Sequence, residues 1–228
     1  MARILLIETS ASVCSVGLGV DGKLVALREE HVPNRHAELL SVFCEEIMGE
    51  TNSRPSDLNA VAISGGPGSY TGLRIGTSTA KGYCFALNIP LISIPTLESM
   101  ARGMRNVASS KDLFCPMMDA RRMEIYSATY THDLQLVKDV IPVILDETSF
   151  EIELSQGVVW FSGDGMEKSR EILSKHPNAR FTDQGNQSAK HLVEAAEMKF
   201  RRQEFEDLAY YVPFYLKTFN PGPKRSNL

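Results

Sequence analysis

No Cys-x-x-Cys pair occurs in this chain. Its four cysteines stand alone at positions 14, 44, 84 and 115, which excludes a zinc knuckle or a redox dithiol and leaves buried free thiols as the expectation. Histidine is equally sparse, at 31, 36, 132, 176 and 191. None of these forms an HExxH motif, and His31 and His36, read as lying on one helix, would point to diverging faces. There is no GxSxG elbow and no GxxxxGK[ST] phosphate loop, so serine hydrolase and P-loop nucleotidase chemistry are both disfavoured. The opening apolar run Ile4 to Ile7 ends at Glu8, too short for the core of a signal peptide, and no other stretch approaches the roughly 20 apolar residues that cross a bilayer. The expectation is a cytoplasmic protein without membrane contact. Basic charge is also lacking: 24 Lys and Arg face 28 Asp and Glu, a net charge of -4. The pairs Arg121-Arg122, Arg201-Arg202 and Lys224-Arg225 are too small for a nucleic-acid face, so contact with nucleic acid is expected only through another protein.

What is present is a chain of 228 residues, 43% hydrophobic, enough to bury a core in one large domain or two compact lobes. Residues 3–8, 13–20 and 23–32 read as three strands, the last two joined by the turn pair Asp21-Gly22. Apolar residues at helical spacing follow between Arg35 and Met48. Next come a buried strand at 60–64, a glycine-rich loop, a helix from about Thr71 to Leu87, the stop at Pro90, a short strand LISI and a helix from Thr96. A weaker second meander runs through LFCPMM, EIYSATY and LQLVKDVIPVIL. A strand GVVWFSG, a helix over 167–175 and a longer helix over about 188–203 follow it. Two copies of one βββαβα unit are expected, as lobes over 1–105 and 106–205. A C-terminal segment and tail over 206–228 begins with the strand-like alternation of AYYVPFYLK and ends in NPGPKRSNL.

The most specific segment is SGGPGSYTGLRIG, Ser64 to Gly76. Gly65, Gly66 and Gly68 permit positive φ and close backbone approach, and the helix that follows offers unpaired N–H groups to an anion. The same glycines also suit a tight strand-to-helix turn packed against the chain's own backbone. The pattern leaves both readings open.

The segments ILLIETSASVCSVGL, GGPGSYTGLRIG, MDARRMEIYSATY and PFYLK, in this order and spacing, resemble the TsaB (YeaZ) family, paralogous to TsaD. The resemblance spans nearly the whole chain. It implies an α/β fold of the actin-like ATPase (ASKHA, ribonuclease-H-like) type, and a place in the machinery that attaches threonylcarbamoyl to adenosine 37 of tRNA. In that superfamily two hairpins wrap nucleotide phosphates across a cleft. The resemblance therefore implies a vestigial nucleotide cleft at Glu8, Thr9, Ser10, Gly65, Gly66, Gly68, Asp119, Gly163 and Gly165, with at most weak ATP or ADP binding. A strand-end acid at Glu8 and a turn-forming Asp at Asp119 are equally good readings of those two residues. TsaD carries two metal-binding histidines four residues apart where this chain has Thr96 and Met100, neither a credible ligand. A non-catalytic partner of the TsaD paralogue follows, with no metal and no catalytic residue of its own, recruiting the small ATPase TsaE and reaching tRNA only indirectly. The alternative within the superfamily is an ATP-binding enzyme, an ATPase or phosphotransferase or a metallopeptidase-like protein. The resemblance assigns the partner and homodimer interface to the two helices around the glycine loop: His36, Leu39, Leu40, Phe43 and Ile47 on the first, Tyr70, Leu73, Arg74, Thr77 and Lys81 on the second.

Overall fold

The structure is a computed structural model, and it describes residues 2–217. Strands β1 (Arg3–Glu8), β2 (Val13–Val20), β3 (Lys23–His31), β4 (Ala60–Ser64) and β5 (Leu91–Ile94) form one sheet in the order β3-β2-β1-β4-β5. The first three are antiparallel, whereas β4 and β5 run parallel to β1. Strands β6 (Leu113–Asp119), β7 (Glu124–Thr131), β8 (Leu136–Ile144), β9 (Val159–Ser162) and β10 (Ala179–Phe181) repeat that order and those directions in a second sheet, β10-β9-β6-β7-β8. The helices are α1 (His36–Glu50), α2 (Tyr70–Leu87), α3 (Thr96–Met104), α4 (Glu151–Gln156), α5 (Met166–Leu173) and α6 (Val193–Arg201).

The period of two in β1 sorts its side chains to opposite faces of the first sheet. Leu5 and Ile7 join a core with Val61, Ile63 and the inner sides of α1 and α2. Ile4 and Leu6 join another with Ala60, Ala62, Ile92 and the segment 189–196. Asp21 and Gly22 turn the β2–β3 hairpin with φ of 49° and 76°, the left-handed pair that a two-residue hairpin needs. Ser69 caps α2 by accepting from Gly72 N, and Asn88 ends it in the left-handed conformation two residues before Pro90. Helix α3 lies between the sheets, where Leu97, Met100 and Met104 pack with Phe114, Met118 and Tyr130.

Several expectations change. The long helix over 188–203 is a 3-10 turn at 189–192 followed by the shorter α6. Both lie on the first sheet, although the expected boundaries gave them to the second lobe. The apolar residues Ala189, Leu192, Val193 and Ala196 cover the face of β1, β4 and β5 that α1 and α2 leave bare. His31 ends β3 while His36 opens α1, so the two never share a helix. AYYVPFYLK forms no strand, and α4 and β10 had no sequence signal strong enough to read. The tail NPGPKRSNL lies outside the described residues. No helix among the described residues is long and apolar enough to cross a membrane.

Candidate functional site

A cleft of about 590 Å³ opens between the loop after β1, the start of α2 and the β6–β7 hairpin. Its wall carries Ser10, Gly68, Ser69, Asp119, Arg121 and Asp164, with the aromatic rings of Tyr70, Tyr126 and Tyr215. Of the nine positions expected at a nucleotide cleft, Ser10, Gly68 and Asp119 line it. The other six are buried and do not line it.

The packing is specific. Helix α2 sits directly on the β1–β2 loop: Ser69 N donates to Ser10 O at 2.6 Å, and Thr9 Oγ1 donates to Gly72 O at 2.9 Å. A Cβ at Gly72 would meet Thr9 O at 2.0 Å, and one at Gly68 would meet Ser10 O at 2.5 Å. Gly65 is closed over by Ser93, and Gly66, at φ 105°, by the backbone of Phe214, with a Cβ-to-oxygen approach of 2.3 Å. Gly163 has Met117 O and Met100 Cε on it, and Gly165 has Met118. The glycines at 65, 66, 163 and 165 thus serve close approach of the protein's own backbone and side chains.

Glu8 is fully buried at the end of β1. Its Oε1 accepts from Ser10 N at 2.6 Å and Ser64 Oγ at 2.9 Å, while Oε2 has no partner. Burial pushes this carboxyl above its usual range, against the pull of those hydrogen bonds. A raised acid pKa means that the folded state holds a proton which the unfolded chain releases near 4.5. The associated stability is therefore full below that value and declines as pH rises through the folded-state pKa. Glu8→Gln keeps the Oε1 acceptor without the ionisation. It is expected to raise the melting temperature at pH 8 by more than at pH 5, as read by thermal denaturation at both; equal shifts at the two pH values would contradict a raised pKa.

Asp119 Oδ1 accepts from Arg121 N at 2.5 Å and from Lys168 Nζ at 2.9 Å. The same ammonium donates to Arg122 O at 2.9 Å and also to Glu124 O, pinning a hairpin tip in which Arg121 and Arg122 both have positive φ. Asp164 Oδ1 accepts from Asp119 N and Gln187 Nε2, each at 3.1 Å. Although Asp164 is exposed as a residue, its carboxyl is raised, by loss of solvent first and by Asp119 nearby. Each of these acids thus has an oxygen engaged by protein donors. Among the described residues no three His, Cys, Asp or Glu side chains come together as metal ligands.

Thr96 and Met100 fill the interior. Thr96 is fully buried and its Oγ1 accepts from Gly66 N at 3.1 Å. Met100 is fully buried, with its methyl against Gly163.

The helix stripe expected to meet a partner is internal. Leu39, Leu40, Phe43, Ile47 and Leu73 are all buried, each no more than 8% exposed, and Thr77 is buried too. His36 is buried as well, its ring Nε2 2.9 Å from Val13 O. The correction has a simple cause: the sheet beneath α1 and α2 is apolar and takes the helices' only continuous apolar stripe. Lys81 donates to Ala209 O at 3.5 Å, and the exposed Arg74 stands over the Tyr70 ring, 5.5 Å from its centroid. The outer sides of the two helices carry other apolar groups, Val42 at 44% and Phe85 at 83% exposure. Gly49 and Gly82 lie in open space. Sequence reading missed Val42 and Phe85 because they fall off the helical stripe. It missed Asp164 and Lys168 as site residues because nothing in sequence spacing links them to Asp119.

A family model described as TsaD, tRNA N6-adenosine threonylcarbamoyltransferase, matches residues 30–220. The tRNA threonylcarbamoyladenosine biosynthesis protein TsaB of Escherichia coli is 36% identical over 132 residues, 58% of this chain and 56% of that protein. Its Bacillus subtilis counterpart is 30% identical over 139 residues, 61% and 59% of the two chains. The matched part thus spans less than two thirds of either relative. The TsaB of Buchnera aphidicola subsp. Baizongia pistaciae is 27% identical over 222 residues, covering 95% of this chain and 98% of that one. Among solved structures, YeaZ from Pseudomonas aeruginosa superposes with a TM-score of 0.77 at 23% identity, over 95% of this chain and 100% of that one. The activator of 2-hydroxyisocaproyl-CoA dehydratase from Clostridium difficile, with bound ADPNP, superposes at 0.53 and 11% identity, over 90% and 98%. These two likenesses establish the fold, which is of the actin-like ATPase type.

Proposed function

Because the chain belongs to the TsaD family, on its TsaB (YeaZ) branch, we propose that it is a non-catalytic partner subunit that binds and activates a TsaD-like paralogue in forming N6-threonylcarbamoyladenosine at position 37 of tRNA. One observation carries this reading. At the two positions where the family resemblance places TsaD's metal-binding histidines, this chain has Thr96 and Met100, both buried and both used for internal packing. A catalytic metal would need ligands there, and the interior is already filled.

Docking is assigned to the outer faces of α1 and α2, where Val42 and Phe85 stand exposed beside glycines with open space around them. Small residues beside large apolar ones favour close helix approach and a buried centre. The same face serves an isologous homodimer when the paralogue is absent. A TsaE-like small ATPase joins the paired assembly, tRNA reaches this chain only through its partner, and the site of action is the cytoplasm.

The test is threonylcarbamoyl transfer to tRNA in a mixture of ATP, threonine, bicarbonate and the other pathway proteins, with this chain present or omitted. Loss of product on omission is the expected result; undiminished transfer without the chain overturns the proposal. A second reading, an ATP-binding enzyme, is favoured by the cleft itself, where Arg121 and the N-terminal end of α2 face one space. Titration with a fluorescent ATP analogue and a phosphate-release assay on the isolated chain decide it: tight binding with turnover supports the enzyme, weak binding without turnover the partner.

A further inference from the structure

Residues 206–217 cross the molecule from the first sheet to the second. The segment starts at the edge of the first sheet, where Glu206 forms a bridge with Leu91 and Glu206 N donates to Leu91 O at 2.9 Å. It is then held beside α2 by Lys81 Nζ on Ala209 O. Over β5 the Tyr211 hydroxyl meets Ser93 Oγ at 2.9 Å. At the glycine loop Phe214 N donates to Gly65 O at 2.8 Å, and Gly66 leaves no room for a Cβ beneath Phe214 O. The Tyr215 ring lies 4.8 Å from that of Tyr70 at the start of α2. Finally Lys217 pairs with Glu124, at the start of β7 in the second sheet. Tyr215, Leu216 and Lys217 form part of the cleft wall, together with Arg121 and Tyr126.

The two sheets are joined at their base by the apolar layer around α3, where Leu97, Met100 and Met104 meet Phe114 and Met118. Across the open side of the cleft, the 206–217 segment makes a second connection of different character. Its first part is anchored in main-chain hydrogen bonds and half-buried rings, whereas among the described residues its contact with the second sheet is an ion pair. Both partners of that pair keep solvent access, at 45% and 22% side-chain exposure, and pairs of this kind are easily broken and screened by salt.

We propose that residues 206–217 are a strap that fixes the two sheets relative to each other across the cleft, with Lys217–Glu124 as its releasable end, so that release widens the cleft. The strap does not depend on what the cleft binds or on the partner role above. The Tyr215 ring on Tyr70 fixes the segment to the start of α2, on the first sheet's side, and the ion pair two residues later reaches β7 of the second sheet. The run PFYLK, residues 213–217, supplies the ring and the cation within three residues.

The test is the distance between the sheets in the full chain, with spin labels on Lys23→Cys at the start of β3 and Glu171→Cys on α5, both exposed positions. The native cysteines do not compete for label: all four are buried, and burial pushes the Cys44 and Cys115 thiols up to about 12. Labelled protein is diluted into unlabelled protein so that only distances within one chain are read. The parent is expected to give one narrow distribution, and Tyr215→Ala combined with Lys217→Glu a distribution at least twofold broader. The charge exchange Lys217→Glu with Glu124→Lys is expected to return towards the parent width, and 1 M salt to broaden the parent. A distribution in the double variant that matches the parent overturns the strap, and so does failure of the exchange to recover any of the width. Circular dichroism on each variant separates opening from unfolding. If the double variant loses structure, Lys217→Glu alone against the exchange gives the same decision.

Discussion

Phe43→Asp is expected to unfold the protein. Phe43 sits on α1 at 8% exposure within the core that holds Leu5, Val16 and Val61, so the variant loses the packing of a phenyl ring, about 3–5 kcal/mol in comparable cores. It also places a carboxylate among the apolar side chains of that core, at a further cost of several kcal/mol unless the acid stays protonated. Domains of this size are held by only about 5–15 kcal/mol in total. The expected outcome is a collapse of soluble yield and a melting transition lowered by tens of degrees or absent. A folded variant with an unchanged melting temperature would mean that α1 does not lie on the sheet as described. The same substitution would be the natural choice for disrupting a partner surface on the sequence pattern alone. Any loss of activity it caused would report damage to the fold.

The informative disruption is Val42→Asp together with Phe85→Asp. Both side chains point to solvent, at 44% and 83% exposure, so the free chain should melt within a few degrees of the parent; surface changes of this kind usually stay within about 0.5 kcal/mol. At an interface the effect reverses, because two carboxylates would have to be desolvated in the apolar centre of the contact. Truncating such central groups commonly costs more than about 2 kcal/mol, and at about 1.4 kcal/mol per tenfold the pair should weaken association by at least 30- to 100-fold. On the proposed homodimer, size-exclusion chromatography should show a dimer for the parent and a monomer for the variant. The reconstituted transfer reaction should require correspondingly more of the variant to reach the parent rate. Full stimulation by the variant at parent concentrations would move the docking surface away from α1 and α2.

The order of elements was legible in the sequence because it depends on local physics. The short continuous apolar run in RILLIE, the turn pair Asp21-Gly22, and the stop at Pro90 each act over a few residues. The repeat of the meander could be read for the same reason, and the family resemblance added the type of fold. Short elements such as β10, with three residues, and α4, with six, carry too little pattern to be read without their neighbours.

The candidate site was legible only in part. Glycine at 65, 66 and 68 announces a close approach without saying to what. In the structure the approaching atoms belong to Ser93, Phe214 and Ser10, all of them distant in the chain. Periodicity found the apolar stripe of α1 but not which surface covers it, since an inward stripe and a partner-facing stripe have the same spacing. Residue types and order determined most of the secondary structure, the doubled unit, and the absence of histidine from positions 96 and 100. Tertiary structure decided the rest: that α6 returns to the first sheet, that Phe43 is core while Phe85 is surface, that Lys168 holds the β6–β7 hairpin, and that residues 206–217 span both sheets. Those outcomes depend on which apolar face remains uncovered after the nearer elements have packed, a property of the assembled chain that no local window of sequence contains.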